Sequence, residues 1–213
     1  ENQIMMNSNI IPLFSTPIYQ GSIGNYDEVQ DELDTCIKDI NFGMRDGWSS
    51  THYLSDPFFQ ANLIIESNLH IFKSEIEKHL KEYCTKTGVP AGSNGSWNDN
   101  YSIISSWFAL FKKGNYAHVH NHGDCDIAGV YYFRKSEDDG SFFFTSPVPA
   151  LDSSCFRTGR VVINPNQGDI LLFPGWLNHG VETNDTDEDR CSISFNISFE
   201  RDSNNKKPLI SIR

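Results

Sequence analysis

The chain has no basic run. Its 17 Lys and Arg are scattered among 28 Asp and Glu, and the formal net charge is −11. A nucleic-acid backbone is therefore excluded as an expected partner, and the acidity reads first as solubility. There is no Cys-x-x-Cys pair. The five cysteines, Cys36, Cys84, Cys125, Cys155 and Cys191, are odd in number, which argues against a disulfide framework. No apolar run approaches the roughly 20 residues that cross a bilayer, and no secretory leader is read at the start. The expectation is a reduced, soluble, cytoplasmic protein with no membrane partner. A Gly/Ser/Pro-rich linker is also missing, so the 213 residues read as one domain, 1–213.

What the chain does have is aromatic residues, 15 Phe and 8 Tyr, which suit a β-rich core. Helices come first. Ile10 to Tyr19 is apolar but broken by Pro12 and Pro17, which fits a sheet edge. From Tyr26 to Ile40 the residues Val29, Leu33, Ile37 and Ile40 recur at helical spacing. Trp48 to Leu54 has no period and reads as a loop. Asp56 and Pro57 then open a predicted helix that runs to about Cys84, with a stripe of Ile65, Leu69, Phe72, Ile76, Leu80 and Tyr83. His70 and His79 fall off that stripe and read as helix-surface histidines, and His52 as a lone loop histidine. Thr87 to Asn100 is a loop rich in Gly, Ser and Asn.

Strands follow. Tyr101–Phe111, Val130–Phe133, Gly140–Thr145, Val161–Ile163 and Ile170–Phe173 are β-prone, with a turn at Asn164–Gly168. Arg190–Phe199 alternates most cleanly. Arg190, Ser192, Ser194, Asn196 and Ser198 share one face, and Cys191, Ile193, Phe195, Ile197 and Phe199 the other. That polar face either meets solvent or lines an internal cavity. Helices followed by short strands indicate α+β, with a β-sandwich or jelly roll as the body. Residues 1–100 would form a helical support and 101–200 the jelly-roll core.

The stretch Gly114 to Phe133, GNYAHVHNHGDCDIAGVYYF, carries His118, His120 and His122 at alternate positions, and Asp124 and Asp126 continue the spacing. In extended backbone such residues share a face. His179 lies far downstream after another apolar run. Two close imidazoles and a distant third group, all on strands, are a route to an open metal site.

These pieces resemble the iron(II)- and 2-oxoglutarate-dependent oxygenases, most of all a branch common in marine bacteria and phages. The resemblance rests on IPLFSTPIY, GNYAHVHNHGDCDIAGVYYF, GDILLFPGWLNHGV and RCSISFNISF, in that order over most of residues 10 to 199. It implies a double-stranded β-helix, or jelly roll, with N-terminal helices packed on one sheet. It also implies iron(II) as cofactor and 2-oxoglutarate as co-substrate. His120 and His179 fall on the family's metal ligands. Arg190 falls on the arginine that pairs with the far carboxylate of 2-oxoglutarate, with Tyr132 and Ser192 beside it. His118, Asn196 and Trp176 are candidates to support the ligands from behind. The wider superfamily has His-x-Asp or His-x-Glu where this chain has His120-Asn121-His122. The third ligand is then His122, which needs only regular extended backbone, or Asp124, which supplies the usual oxygen donor after a turn at Gly123.

The function implied is hydroxylation of a small-molecule or peptide substrate with release of succinate and CO2, in a host cytoplasm if the chain is phage-encoded. Two alternatives stand beside it. One is a cupin-like dioxygenase using His120, His122 and His179 without 2-oxoglutarate. The other is a non-catalytic binding or structural protein on the same scaffold. Substrate choice is expected to lie in the loops 48–54, 87–100 and 147–160.

Overall fold

The computed structural model describes residues 15–47, 50–55, 62–88, 100–148 and 159–200. The expected helix start at Asp56 and Pro57, most of the strand expected from Ile10, Cys155, and the greater part of the loops 87–100 and 147–160 lie outside these residues.

The alternation in the last strand sets the architecture. Strand β10 (Arg190–Phe199) pairs antiparallel with both β3 (Tyr101–Phe111) and β5 (Ile127–Arg134). Its odd-numbered residues Ile193, Phe195 and Ile197 turn to a core shared with the helices. Its Ser192 and Ser194 line a cavity on the opposite side. β5 divides in the same way. Tyr131 and Phe133 join the helix-side core, whereas Ala128, Val130 and Tyr132 join the core between the sheets. Period two thus makes each central strand a wall between two compartments.

The larger sheet has the order β1-β8-β5-β10-β3-β2, adding β1 (Tyr19–Ser22), β2 (Tyr53–Leu54) and β8 (Asp169–Pro174). The smaller has the order β4-β9-β6-β7, from β4 (Ala117–His120), β6 (Phe142–Thr145), β7 (Arg160–Ile163) and β9 (His179–Val181). All registered pairs of named strands are antiparallel. The two sheets form a jelly roll with Phe142, Phe144, Leu171 and Phe173 between them. Helices α1 (Tyr26–Cys36) and α3 (His70–Thr87) cover the outer face of the larger sheet through Val29, Leu33, Phe72, Ile76 and Leu80. Each of these side chains contributes roughly 1.5–3 kcal/mol by leaving water.

Four local expectations are corrected. The second helix is broken: a four-residue α2 (Leu63–Glu66) precedes α3, and Asn68 between them has φ 51°. Asn tolerates this left-handed conformation better than most residues. The Glu32 carboxylate from α1 then accepts from the α3 amides of Ile71 and Phe72, at 3.1 and 2.9 Å, so α3 starts afresh. The break leaves Ile65 exposed, and Leu69 is the first buried residue of the α3 stripe. His79 is buried, not at the surface, with its Nδ1 2.7 Å from the Tyr19 hydroxyl. Tyr53 and Leu54, expected in a loop, form β2 against Leu110 and Ala109. His52, just before them, is 2 % exposed. Ser15–Ile18, expected within the edge strand, lie outside any strand, and β1 runs from Tyr19 to Ser22.

Candidate metal centre

Antiparallel pairing of β4 with β9 sets His120 directly opposite His179. Facing residues on such a pair hold their Cβ atoms about 5 Å apart, close enough for two imidazoles to share one ion. β4 ends at His120, and the chain turns. The His122 amide donates to the Gly175 carbonyl at 2.7 Å, and the Gly175 amide donates to the Asp126 carbonyl at 3.1 Å. This seam admits only glycine at 175, where a Cβ would lie 2.4 Å from the Cys125 carbonyl oxygen and 2.8 Å from that of His122. The turn brings the His122 ring to 5.3 Å from His120 and 5.1 Å from His179, centroid to centroid, with His120 and His179 4.4 Å apart.

One ring nitrogen from each of the three histidines lies within 4.8 Å of the other two. Among the described residues no carboxylate joins this group. Asp124 is exposed, and Asp126 is spent elsewhere, its Oδ2 accepting from the Phe199 amide at 2.9 Å. The turn after His120 ends the alternation that would have put both aspartates on the histidine face.

The ring orientations follow from what Nδ1 meets. His120 Nδ1 is 2.7 Å from the His118 carbonyl oxygen, and His179 Nδ1 is 2.9 Å from that of Leu177. A carbonyl only accepts, so both Nδ1 atoms carry the proton. His122 Nδ1 lies 2.5 Å from Asn196 Oδ1. The Asn196 amide lies with its Nδ2 donating to Ser105 Oγ at 2.9 Å and its oxygen toward the imidazole. All three rings are therefore Nδ1–H tautomers, with Nε2 as the lone-pair nitrogen. A metal-binding imidazole commonly has such an oxygen behind it. His118 contributes through its carbonyl, while its ring is exposed against Tyr116.

Burial keeps these groups neutral. His179 is enclosed by Phe142, Phe144 and Phe173, and desolvation, then the neighbouring His120 and His122, holds its pKa well below the ordinary value. His122, stacked on Trp107, is lowered to about 4, mainly by burial. His120 is lowered for the same first reason. Neutral imidazoles need lose no proton to bind a cation.

The same cavity, about 410 Å³ of empty space including its open mouth, runs from the histidines to Arg190, Ser192 and Ser194. Arg190 is 1 % exposed. Its guanidinium lies over Phe111 and Tyr132, at 5.4 and 5.2 Å, and Nη1 donates to the Gly140 carbonyl at 2.9 Å. Gly140 has φ 93°, and a Cβ there would approach the Glu182 carbonyl oxygen to 2.4 Å, so the turn that presents this acceptor requires glycine. Adjacent Asp139 is buried but committed to Lys135 at 2.7 Å. Among the described residues Arg190 thus has no carboxylate partner and its Nε has no hydrogen-bond partner, while the buried Tyr132 hydroxyl has Arg190 as its neighbouring charge. Burial raises the Tyr132 pKa, with the Arg190 charge opposing, so the hydroxyl keeps its proton. A buried, uncompensated cation is costly, and a ligand carboxylate would relieve it. Trp176, by contrast, is 52 % exposed on the turn between β8 and β9.

The site residue that sequence reasoning passes over is His52, which lines this cavity stacked on Phe111. A single loop histidine carries no periodic signal. The only hint was its place just before the short apolar pair Tyr53–Leu54.

Residues 105–196 match a protein family described as "Putative 2OG-Fe(II) oxygenase". Among solved structures, the epimerase SnoN in complex with Fe3+, alpha ketoglutarate and nogalamycin RO is similar with a TM-score of 0.61 at 13 % identity. The match covers 92 % of this chain and 89 % of that one. HygX from Streptomyces hygroscopicus, solved with nickel and 2-oxoglutarate, gives a TM-score of 0.57 at 14 % identity, covering 86 % and 83 %. A prolyl-4-hydroxylase from Pseudomonas putida gives 0.55 at 13 % identity, covering 89 % and 96 %. A comparison with curated proteins finds no match. The matched segment contains His120, His122, His179 and Arg190, so the likeness to this family falls on the candidate site, and the jelly roll is the fold shared with these solved structures.

Proposed function

We propose that this protein is an iron(II)- and 2-oxoglutarate-dependent oxygenase that hydroxylates a small-molecule or peptide substrate, with release of succinate and CO2. One observation carries the reading. A cluster of three neutral imidazoles and a buried arginine with no carboxylate partner among the described residues line one cavity. The donor set suits iron(II), because imidazole binds first-row divalent metals and three facial ligands leave three positions open. His120, His122 and His179 would hold the metal through Nε2. When bound, the metal would supply oxygen activation coupled to oxidative decarboxylation of the keto acid.

The chain's own residues do the rest. Arg190 takes the far carboxylate, its planar fork matching two oxygens. Ser192 and Tyr132, register partners on β10 and β5, stand beside that carboxylate as hydroxyl donors. Asn196 holds the His122 tautomer. Phe142, Phe144 and Phe173 keep water from His179, strengthening the electrostatics of the centre. A keto-acid dianion would balance the charge of a divalent ion that three neutral ligands leave uncompensated.

Anaerobic titration with iron(II) and then 2-oxoglutarate tests this. A weak visible charge-transfer band, and succinate on admission of oxygen, are expected. No band and no succinate under any condition would remove the assignment. The all-histidine donor set also favours a second reading, a dioxygenase without a keto acid. Oxygen uptake that is indifferent to 2-oxoglutarate and survives loss of Arg190 would select it.

A further inference from the structure

His52 lies outside the family match at 105–196, yet the fold delivers it to the wall of the cavity. Three contacts place it. The Thr51 hydroxyl donates to the Tyr116 carbonyl at 2.6 Å, and the Tyr116 amide donates to the Thr51 carbonyl at 3.3 Å. Tyr53 and Leu54 add to β3 as an edge strand, opposite Leu110 and Ala109. Leu54 also exchanges two backbone hydrogen bonds with Gly43, at 3.0 and 2.8 Å. The backbone is thus anchored on both sides of His52. Its ring is stacked on Phe111 with centroids 4.7 Å apart and planes 4° from parallel.

Phe111 is also the ring over which Arg190 sits. His52 therefore shares one aromatic platform with the anchor for a carboxylate. It lines the same cavity as His120 and Arg190. Burial first, and then its charged surroundings including Arg190, lower its pKa to about 4. A neutral, flat, buried ring in that place is a wall and not a counter-ion.

We propose that His52 is a positioning residue for the co-substrate: its ring, clamped on Phe111, bounds the space between the three histidines and Arg190 and so sets the length of the keto diacid that the cavity accepts. This rests on the 2-oxoglutarate reading above. Truncating the ring would leave room alongside the diacid chain, and a longer chain could then bend while still spanning metal and arginine. Discrimination of one methylene by a close-fitting apolar wall is worth about 10- to 200-fold.

The test uses the full chain with iron(II) under anaerobic conditions. Dissociation constants are measured for 2-oxoglutarate and for 2-oxoadipate, one methylene longer, in wild type, His52→Ala, His52→Asn and His52→Phe. Wild type should prefer 2-oxoglutarate by about tenfold or more. In His52→Ala and His52→Asn that ratio should fall to within about threefold of unity, with 2-oxoglutarate bound more weakly and iron(II) affinity in the absence of keto acid unchanged. His52→Phe, which keeps a flat ring on Phe111, should keep the preference. His52→Asn gives a second reading should the alanine variant fold poorly. A wild-type ratio in a folded His52→Ala or His52→Asn would overturn the proposal while leaving the co-substrate reading intact. Binding of neither keto acid by wild type would overturn both.

Discussion

Replacing Asn196 by Ala removes the acceptor behind His122 together with the bond to Ser105, neither of which touches substrate or metal, yet it should weaken metal binding. Asn196 Oδ1 accepts from His122 Nδ1 at 2.5 Å, and the amide nitrogen donates to Ser105 Oγ at 2.9 Å. Without that acceptor, the Nδ1–H of a buried ring is left unpaired, at a cost of about 1–3 kcal/mol. The ring relieves the cost by moving its proton to Nε2 or by turning against Trp107, and either change takes the lone pair away from the cluster. Loss of such a supporting bond typically weakens metal affinity by about 10- to 100-fold, or ~1.4 to ~2.7 kcal/mol. Titration of the metal-free protein with cobalt(II), followed by its visible spectrum, reads the affinity directly, with thermal unfolding as the check on folding. Asn196→Asp should retain or improve affinity, because a carboxylate also accepts from Nδ1–H. Wild-type affinity in a well-folded Asn196→Ala would mean that His122 does not hold the metal as described.

Three more outcomes are expected. Arg190→Lys keeps the charge but loses the fork, so the apparent constant for 2-oxoglutarate should rise about 10- to 100-fold, with iron(II) affinity little changed; an unchanged constant would sink that role. His179→Ala should abolish stoichiometric iron binding and leave the domain folded, as judged by metal analysis and circular dichroism, since an open site contributes less to folding than a closed structural one. Finally, His52 and His122 have folded-state pKa values lowered to about 4, so between about pH 6.5 and 4 the unfolded chain binds protons that the metal-free folded state refuses. Their contribution to stability is present above pH 6.5 and is lost on acidification at roughly 1.4 kcal/mol per pH unit for each histidine. The Tm of the metal-free protein at pH 7.5 and 5.5 should show this drop, and His52→Phe should reduce it; an identical drop in that variant would contradict the assignment.

How far the sequence revealed the protein depended on whether a local pattern determined the structure. β10 is legible to the residue because its polar and apolar residues alternate over all ten positions, and β3 is legible from its β-prone composition and the Lys112–Gly114 stop. Arg190, Ser192 and Asn196 were legible as one face of β10, but only the second sheet shows that this face is enclosed. The metal cluster was half legible. His120 and His122 carried a spacing signal, whereas their meeting with His179 depends on the β4–β9 pairing. β9 itself, three residues after a Gly-Trp turn, had no pattern to find. The strand spacing that suggested Asp124 and Asp126 stops at His120, where the turn held by Gly175 begins. The break at Asn68, the burial of His79 against Tyr19 and the burial of His52 on Phe111 are tertiary effects on residues whose neighbours in sequence say nothing of them.

The central claim is a metal held by three imidazoles with no carboxylate. A crystal grown anaerobically with iron(II) and 2-oxoglutarate, with anomalous diffraction collected at the iron edge, tests it most directly. The account predicts one iron peak bonded to Nε2 of His120, His122 and His179, with the far carboxylate of 2-oxoglutarate on Arg190. An iron peak that takes Asp124 in place of His122, or one that lies away from this cluster, would contradict it.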